Sequence, residues 1–217
     1  MQPSSPAAQR PGSRAGRLPQ IAGVLALDFC NSASGRGGSK EREHLQWPAD
    51  LLAWAERAKL LSAAERAQAA KRLQPAEAAA LLREAIALRD AIHAAADALA
   101  TGAKPGPEAL GHLLSLHART VATARLDIDA AAYRLAWDRE DDLAHALLGP
   151  IAQSALSLLL ESDLGRVKRC GGKDCGWLFF DRTKNRRRRW CEMSVCGNRA
   201  KQHRLRNRAL RALAAER

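Results

Sequence analysis

The chain has no apolar run approaching the roughly 18 residues a membrane span needs, and its basic C-terminal segment has few large apolar side chains to sink into lipid. Membrane is therefore not an expected partner. Residues 1–20 hold four prolines, three serines, three arginines and a single leucine, so they lack the apolar stretch of a secretory signal. That composition predicts a disordered tail and a cytoplasmic protein. A phosphate-binding glycine loop, a Ser, His, Asp constellation and a paired-carboxylate motif are also missing, so nothing in the sequence argues for an enzyme. His93, His112, His117 and His145 are never three or four apart on one helix, and each reads as a surface or boundary histidine rather than a metal ligand.

What is present gathers near the C-terminus. Cys170 and Cys175, then Cys191 and Cys196, form two equal pairs, each enclosing four residues, with fifteen between the pairs. Two short loops that each present two thiolates suit tetrahedral zinc. Two disulfides are the alternative, disfavoured in a reducing cytosol. Four thiolates leave no position for water, so the expected zinc, one per chain, is structural. Cys30 stands apart. Between the pairs, Trp177 to Phe180 reads as a strand, Asp181 to Asn185 as a turn and Arg186 to Trp190 as the returning strand. Ser194 reads as the cap of a helix whose first turn carries Cys196. On that helix Lys201, Arg204, Arg208 and Arg211 share one face, with Val195, Leu205, Ala209, Ala212 and Leu213 roughly opposite as the packing face.

Charge follows the same division. Residues 165–217 carry 17 Lys or Arg against 4 Asp or Glu, whereas residues 1–164 carry 18 against 19, so the overall +12 belongs to the cysteine-bearing segment. Such asymmetry favours a polyanion, and nucleic acid is the commonest. The candidate contacts are Arg186, Arg187, Arg188 and Arg189 with Lys201, Arg204 and Arg208, most of them reaching phosphates. Trp177, Phe179 and Phe180 either stack on RNA bases or form the small core that a module of this size requires, and the second reading is preferred.

Upstream, Ile21 to Phe29 is apolar except for Asp28. A carboxylate there is costly unless paired or hydrogen-bonded. It caps a helix, pairs with an arginine, or faces a pocket; the pocket reading has Asp28 and Asn31 lining a small-molecule site with Arg89 as counter-charge. Gly35 to Lys40 reads as a flexible loop. Helices are expected from Pro48, from Ser62 with Glu65 as a capping box, from Pro75 to Thr101-Gly102, over Glu108 to Thr123, and over Asp141 to Glu161 with a break or kink at Gly149-Pro150. Leu126 and Ile128 alternate with Tyr133, Leu135 and Trp137 as a hairpin. The expected fold is mainly α: a helical domain over 21–164 with a minor β-hairpin, then a four-cysteine zinc finger over 165–217 built from a zinc-bound β-hairpin and a basic helix.

The run from Cys191 to Arg199, followed by Lys201, resembles the CGNR zinc finger, named for Cys196-Gly197-Asn198-Arg199 in this chain. Phe179-Phe180-Asp181 and Arg189-Trp190 fit the same pattern, while Thr183 and Glu192 stand where serine is more usual. Leu27 to Ser32 resembles the opening motif of the ABATE domain, with Cys30 and Ser32 in place of valine and threonine. The resemblance covers about Ile21 to Arg208. It implies a bacterial, stress-induced transcription regulator whose finger binds DNA and whose helical domain senses a small-molecule effector or forms a homodimer. Gly197, Asn198 and Arg199 are then expected to support the finger, Gly197 by letting the backbone approach a thiolate and Arg199 by tying the finger down rather than touching phosphate. Two other classes stand beside this one: an RNA-associated factor using the same basic module, and an enzyme with a pocket near Asp28.

Overall fold

The computed structural model describes residues 14–129 and 132–215. Most of the expected tail lies outside those residues, but 14–20 are packed: Ala15 and Leu18 are buried, and Arg57 donates to the Leu18 carbonyl at 3.2 Å.

The fold is mainly α. Helix α1 (Leu25–Cys30) runs into a tight excursion in which β1 (Ala33–Ser34) pairs antiparallel with β2 (Arg42–Glu43). Helix α2 (Pro48–Arg57) begins at proline, and the Asp50 carboxylate accepts from the N–H groups of Gln46 and Trp47. Helix α3 (Ala63–Arg72) starts on the Ser62 and Glu65 capping box, in which each side chain bonds the other's backbone N–H at 3.2 and 2.7 Å. The long α4 (Pro75–Ala100) buries Leu81, Ala85, Leu88 and Ile92 as one stripe and stops where Gly102 takes φ +77°. Helix α5 (Pro107–Ala122) follows, then the hairpin of β3 (Arg125–Asp129) and β4 (Ala132–Ala136), which pairs Leu126 with Leu135 and Ile128 with Tyr133.

Helix α6 (Leu143–Glu161) runs through Pro150, so of the expected break or kink the break does not form. Gly149 serves packing instead: a Cβ there would lie 2.6 Å from the Trp137 ring. By length and composition α6 is apolar enough to cross a membrane, contrary to the expectation from uninterrupted runs. Here its Leu147, Leu148, Ile151, Ala152 and Ala155 are buried in the main core, beside Phe29, Trp54, Leu88 and Leu116.

The C-terminal strands pair differently from the expected hairpin. Strand β6 (Leu178–Phe180) lies antiparallel to β5 (Val167–Arg169), upstream of the first cysteine, and Arg186 to Trp190 forms no strand. The cause is Asp181. Its buried carboxylate accepts from the Thr183 N–H and hydroxyl, the Arg188 N–H at 3.0 Å and the Lys168 ammonium at 2.7 Å, so the chain winds around this side chain instead of running straight back. A π-helical turn, Met193–Gly197, then leads into α7 (Asn198–Ala215). Ser194 does not cap that helix; its hydroxyl bonds the Glu192 carboxylate. Val195 and Leu205 remain 46% and 58% exposed, so the expected packing face is unpacked at these two positions.

Candidate metal centre

Each cysteine pair sits on a knuckle shaped by glycine. In the first, between β5 and β6, the Cys170 N–H donates to the Trp177 carbonyl at 2.8 Å, and Gly176 reverses the chain at φ +68°. A Cβ on Gly172 would sit 3.2 Å from the Cys196 sulfur, so a side chain there would press on the site. In the second, the N–H groups of Cys196 and Gly197 both reach the Glu192 carbonyl, widening the turn. A Cβ on Gly197 would displace the exposed Met193 thioether and lie a tight 3.2 Å from the Trp190 ring. The Asn198 side chain donates to the Ser194 carbonyl at 3.0 Å and ties the same turn.

The four Sγ atoms lie within 4.8 Å of one another. Cys175 to Cys191 is 3.7 Å, Cys191 to Cys196 is 3.5 Å and Cys196 to Cys175 is 3.6 Å. A zinc with sulfur ligands at about 2.3 Å in a tetrahedron sets the sulfurs about 3.8 Å apart, so the donor set fits. The Cys170 sulfur also accepts from the N–H groups of Cys191 at 3.3 Å and Gly172 at 3.4 Å. Hydrogen bonds from the Cys175 and Cys191 thiols, with these N–H groups, hold Cys170 down to about 2. The Cys175 thiol is pushed up to about 12, chiefly by its bond to Cys170; Cys191 is raised for the same reason, and Cys196 by burial. Sulfurs this close cannot all ionise unaided, and a dication removes the conflict. These four cysteines hold one structural zinc. Cys30 is not part of this group and is buried in the main core.

Beneath the zinc, Leu178 and Phe179 are fully buried, in a cluster that includes Leu27, Ala96 and Leu158 of the helical region. The seam is dense in hydrogen bonds. The Asn31 amide donates to the Leu178 carbonyl at 2.9 Å and accepts from the Leu178 N–H at 3.0 Å, acting as an extra strand edge. Three successive carbonyls receive donors from the finger: Ile21 from Arg188 at 2.9 Å, Ala22 from the Phe180 N–H at 2.8 Å, and Gly23 from Arg182. Asp28 accepts from the Ala22 N–H at 2.9 Å and so braces that segment; burial raises its carboxyl to about 6.

The expected grouping of Asp28 and Asn31 with Arg89 as counter-charge does not form. Arg89 is buried in a two-pronged pair with Glu43, both contacts 2.7 Å, and also meets Asp90 at 3.2 Å, because α4 turns it toward β2. The supposedly flexible Gly35 to Lys40 loop is pinned to the first knuckle: Gly35 N–H donates to the Cys175 carbonyl at 2.8 Å, and Arg169 donates to the Arg36 carbonyl at 2.9 Å.

The basic candidates divide. Arg188 lies over the Phe179 ring at 4.3 Å and donates to the carbonyls of Trp190, Cys191 and Ile21, so it is an internal strut and not a phosphate contact. Arg186 is paired with Asp163 at 2.8 Å. Arg187, Arg189, Lys201, Arg204 and Arg208 are exposed, Arg189 with its guanidinium 5.5 Å from the Trp190 ring. Arg199 does not tie the finger down as expected; it projects into solvent with no hydrogen bond or ion pair among the described residues. Sequence reasoning gave no role to Lys168, Lys40 or Arg42, and none stands in a motif that would single it out.

Residues 23–162 match the family model ABATE, described as "Putative stress-induced transcription regulator", and residues 166–209 match the CGNR zinc finger. A search of curated proteins found no match.

Proposed function

From a chain that belongs to the ABATE family and ends in a CGNR zinc finger, we propose a zinc-dependent transcription regulator that binds DNA through its basic C-terminal module. One observation carries this reading: Arg187, Arg199, Lys201, Arg204, Arg206 and Arg208 stand exposed around the metal module, and none forms an ion pair among the described residues. Cations left without acids on a zinc-stiffened surface suit a phosphate backbone. The burial of Phe179, with Trp177 and Phe180 half-buried and packed against the same cluster, supports DNA over RNA, since rings held by packing are poorly placed to stack on splayed bases. Sensing falls to the helical region, where a cleft of about 560 Å³ between α3, α4 and the start of α6 has Leu61, Ala69 and Leu81 among its apolar walls and Glu77 and Asp141 at its rim. Neither matched family model describes an enzyme.

The test is to crosslink the protein in its native cell and sequence what it holds. Enrichment of duplex DNA upstream of genes supports the proposal. Recovery of RNA alone moves the chain to the RNA-associated class, and recovery of neither removes nucleic acid from its function.

A further inference from the structure

A second cleft, of about 880 Å³, lies between the finger and the helical region. One wall is the first cysteine knuckle with Arg189 and Trp190. Another is α7, which turns Arg199, His203 and Arg206 toward the cleft, with Arg204 at its margin. A third comes from more than a hundred residues earlier: Lys40 and Arg42, on and beside β2. Asp174 is the one acid among the described lining residues, so cations prevail over this surface.

The helical repeat sharpens this. At about 100° per residue, Arg199 and Arg206 lie within about 20° of each other, whereas Lys201 and Arg208 fall roughly 160–180° from Arg199. Of the cationic stripe expected from sequence, Lys201 and Arg208 therefore lie on the side of α7 turned away from the cleft, while Arg204 borders it. Among the described residues, the cleft side of α7 is the one with a second cationic body, Lys40 and Arg42, opposite it. We propose that one strand of duplex DNA seats its phosphates in this cleft, held by Arg199, Arg206 and Arg189 from the finger and by Lys40 and Arg42 from the helical region. This deepens the DNA-binding reading above and rests on it.

Two features support a duplex backbone over single-stranded nucleic acid. Among the described lining residues Trp190 is the one large aromatic, half-buried and partnered by Arg189, with His203 the one other ring, which makes a poor row of stacking platforms. The loop carrying Lys40 is bonded to the zinc knuckle through Gly35 and Cys175, which fixes the distance between the two walls before any ligand arrives.

The test uses the zinc-loaded full chain and a fluorescently labelled duplex of about 20 base pairs, with anisotropy measured over a salt series; the salt slope reports phosphate contacts at about 0.9 each. Two pairs of charge reversals in the cleft are compared with a control pair matched in charge. Lys40→Glu with Arg42→Glu, and Arg199→Glu with Arg206→Glu, are each set against Lys71→Glu with Arg83→Glu on the exposed surface of α3 and α4. The cleft variants are expected to weaken binding by about tenfold or more and flatten the slope by about two units, and the control by less than about threefold, with zinc content and melting temperature unchanged. If either cleft variant loses its fold, the other pair still decides. Salt-dependent binding by the wild type with equal losses in cleft and control variants overturns the cleft while leaving DNA binding intact. No salt-dependent duplex binding by the wild type overturns both. Displacement of the duplex by single-stranded RNA at lower concentration overturns the duplex assignment.

Discussion

The finger has an inner side and an outer side, and arginine serves opposite purposes on the two. At the seam with the helical body, Arg188 meets the carbonyls of Ile21, Trp190 and Cys191 and covers Phe179, so its charge is spent inside the protein. On α7, Arg199 meets no carbonyl and no acid within reach and stays available. What separates them is the supply of unpaired backbone acceptors. A run that turns around Asp181 brings one arginine of four against a strip of free carbonyls; a regular helix has used its own.

The strongest way to break this contrast is to remove the metal that holds both sides. Chelation, or Cys191→Ser, should abolish zinc in metal analysis and unfold the two knuckles with loss of the seam, while far-UV circular dichroism retains most of its helical signal from α2 to α6. Structural zinc sites contribute on the order of 10 kcal/mol or more of apparent binding energy, so this effect should exceed any single seam substitution. Retention of full zinc by the mutant would contradict the ligand assignment.

Next in size, Arg188→Ala and Arg187→Ala should part company although they are neighbours. Loss of Arg188 leaves several carbonyls and a ring face without their partner and should cost about 2–4 kcal/mol in denaturant unfolding. Loss of Arg187 should stay within about 0.5 kcal/mol. Equal stability of the two variants would erase the distinction between inner and outer arginines.

Asn31→Ala tests the seam from the other bank. It strands both the N–H and the C=O of Leu178 in a buried position and should cost about 2 kcal/mol, visible also as faster amide exchange in β6. Unchanged exchange at Leu178 would show that water or another group replaces the amide.

The smallest expected effect is a pH dependence. Burial raises Asp28 from 3.8 to about 6, so the folded state holds its proton more tightly than the unfolded chain. The stabilising contribution is full below about pH 4 and is lost as pH rises through 6, on the order of 3 kcal/mol at most. His93 runs the other way: burial lowers it to about 4, so its contribution is present above 6.5 and fades as pH falls. The difference between wild type and Asp28→Asn cancels the histidine and isolates the carboxyl. That difference should favour the variant at pH 7 and shrink toward pH 4; a flat difference would mean that the carboxyl is not buried in its charged form.

Much of the architecture was legible because its causes are local. Cysteine spacing, the Ser62 and Glu65 box, Pro48 and Pro75 at helix starts and the Leu126 to Leu135 alternation all act within a few residues, and each predicted element forms. The seam was not legible for the opposite reason. Asn31 meets Leu178 147 residues away, and nothing in four consecutive arginines singles out the third. The partner of β6 was misassigned because strand pairing follows the fold of Asp181, whose side chain reads simply as a turn residue. The packing face expected on α7 was read from aliphatic spacing alone, and Leu205 finds nothing to pack on.

The seam also bears on how such a finger can be exchanged between proteins. Residues 166–209 look like a cassette, but Leu178 and Phe179 need the floor supplied by Leu27 and Leu158, and Ile21 to Gly23 with Asn31 complete the edge of β6. A graft of the cysteine segment alone would carry its metal ligands and leave half its foundation behind. The transferable unit is discontinuous, made of the finger together with Ile21 to Asn31 and the Gly35 to Arg42 excursion, so a chimaera that respects the seam should keep its finger folded where a simple end-to-end fusion would not.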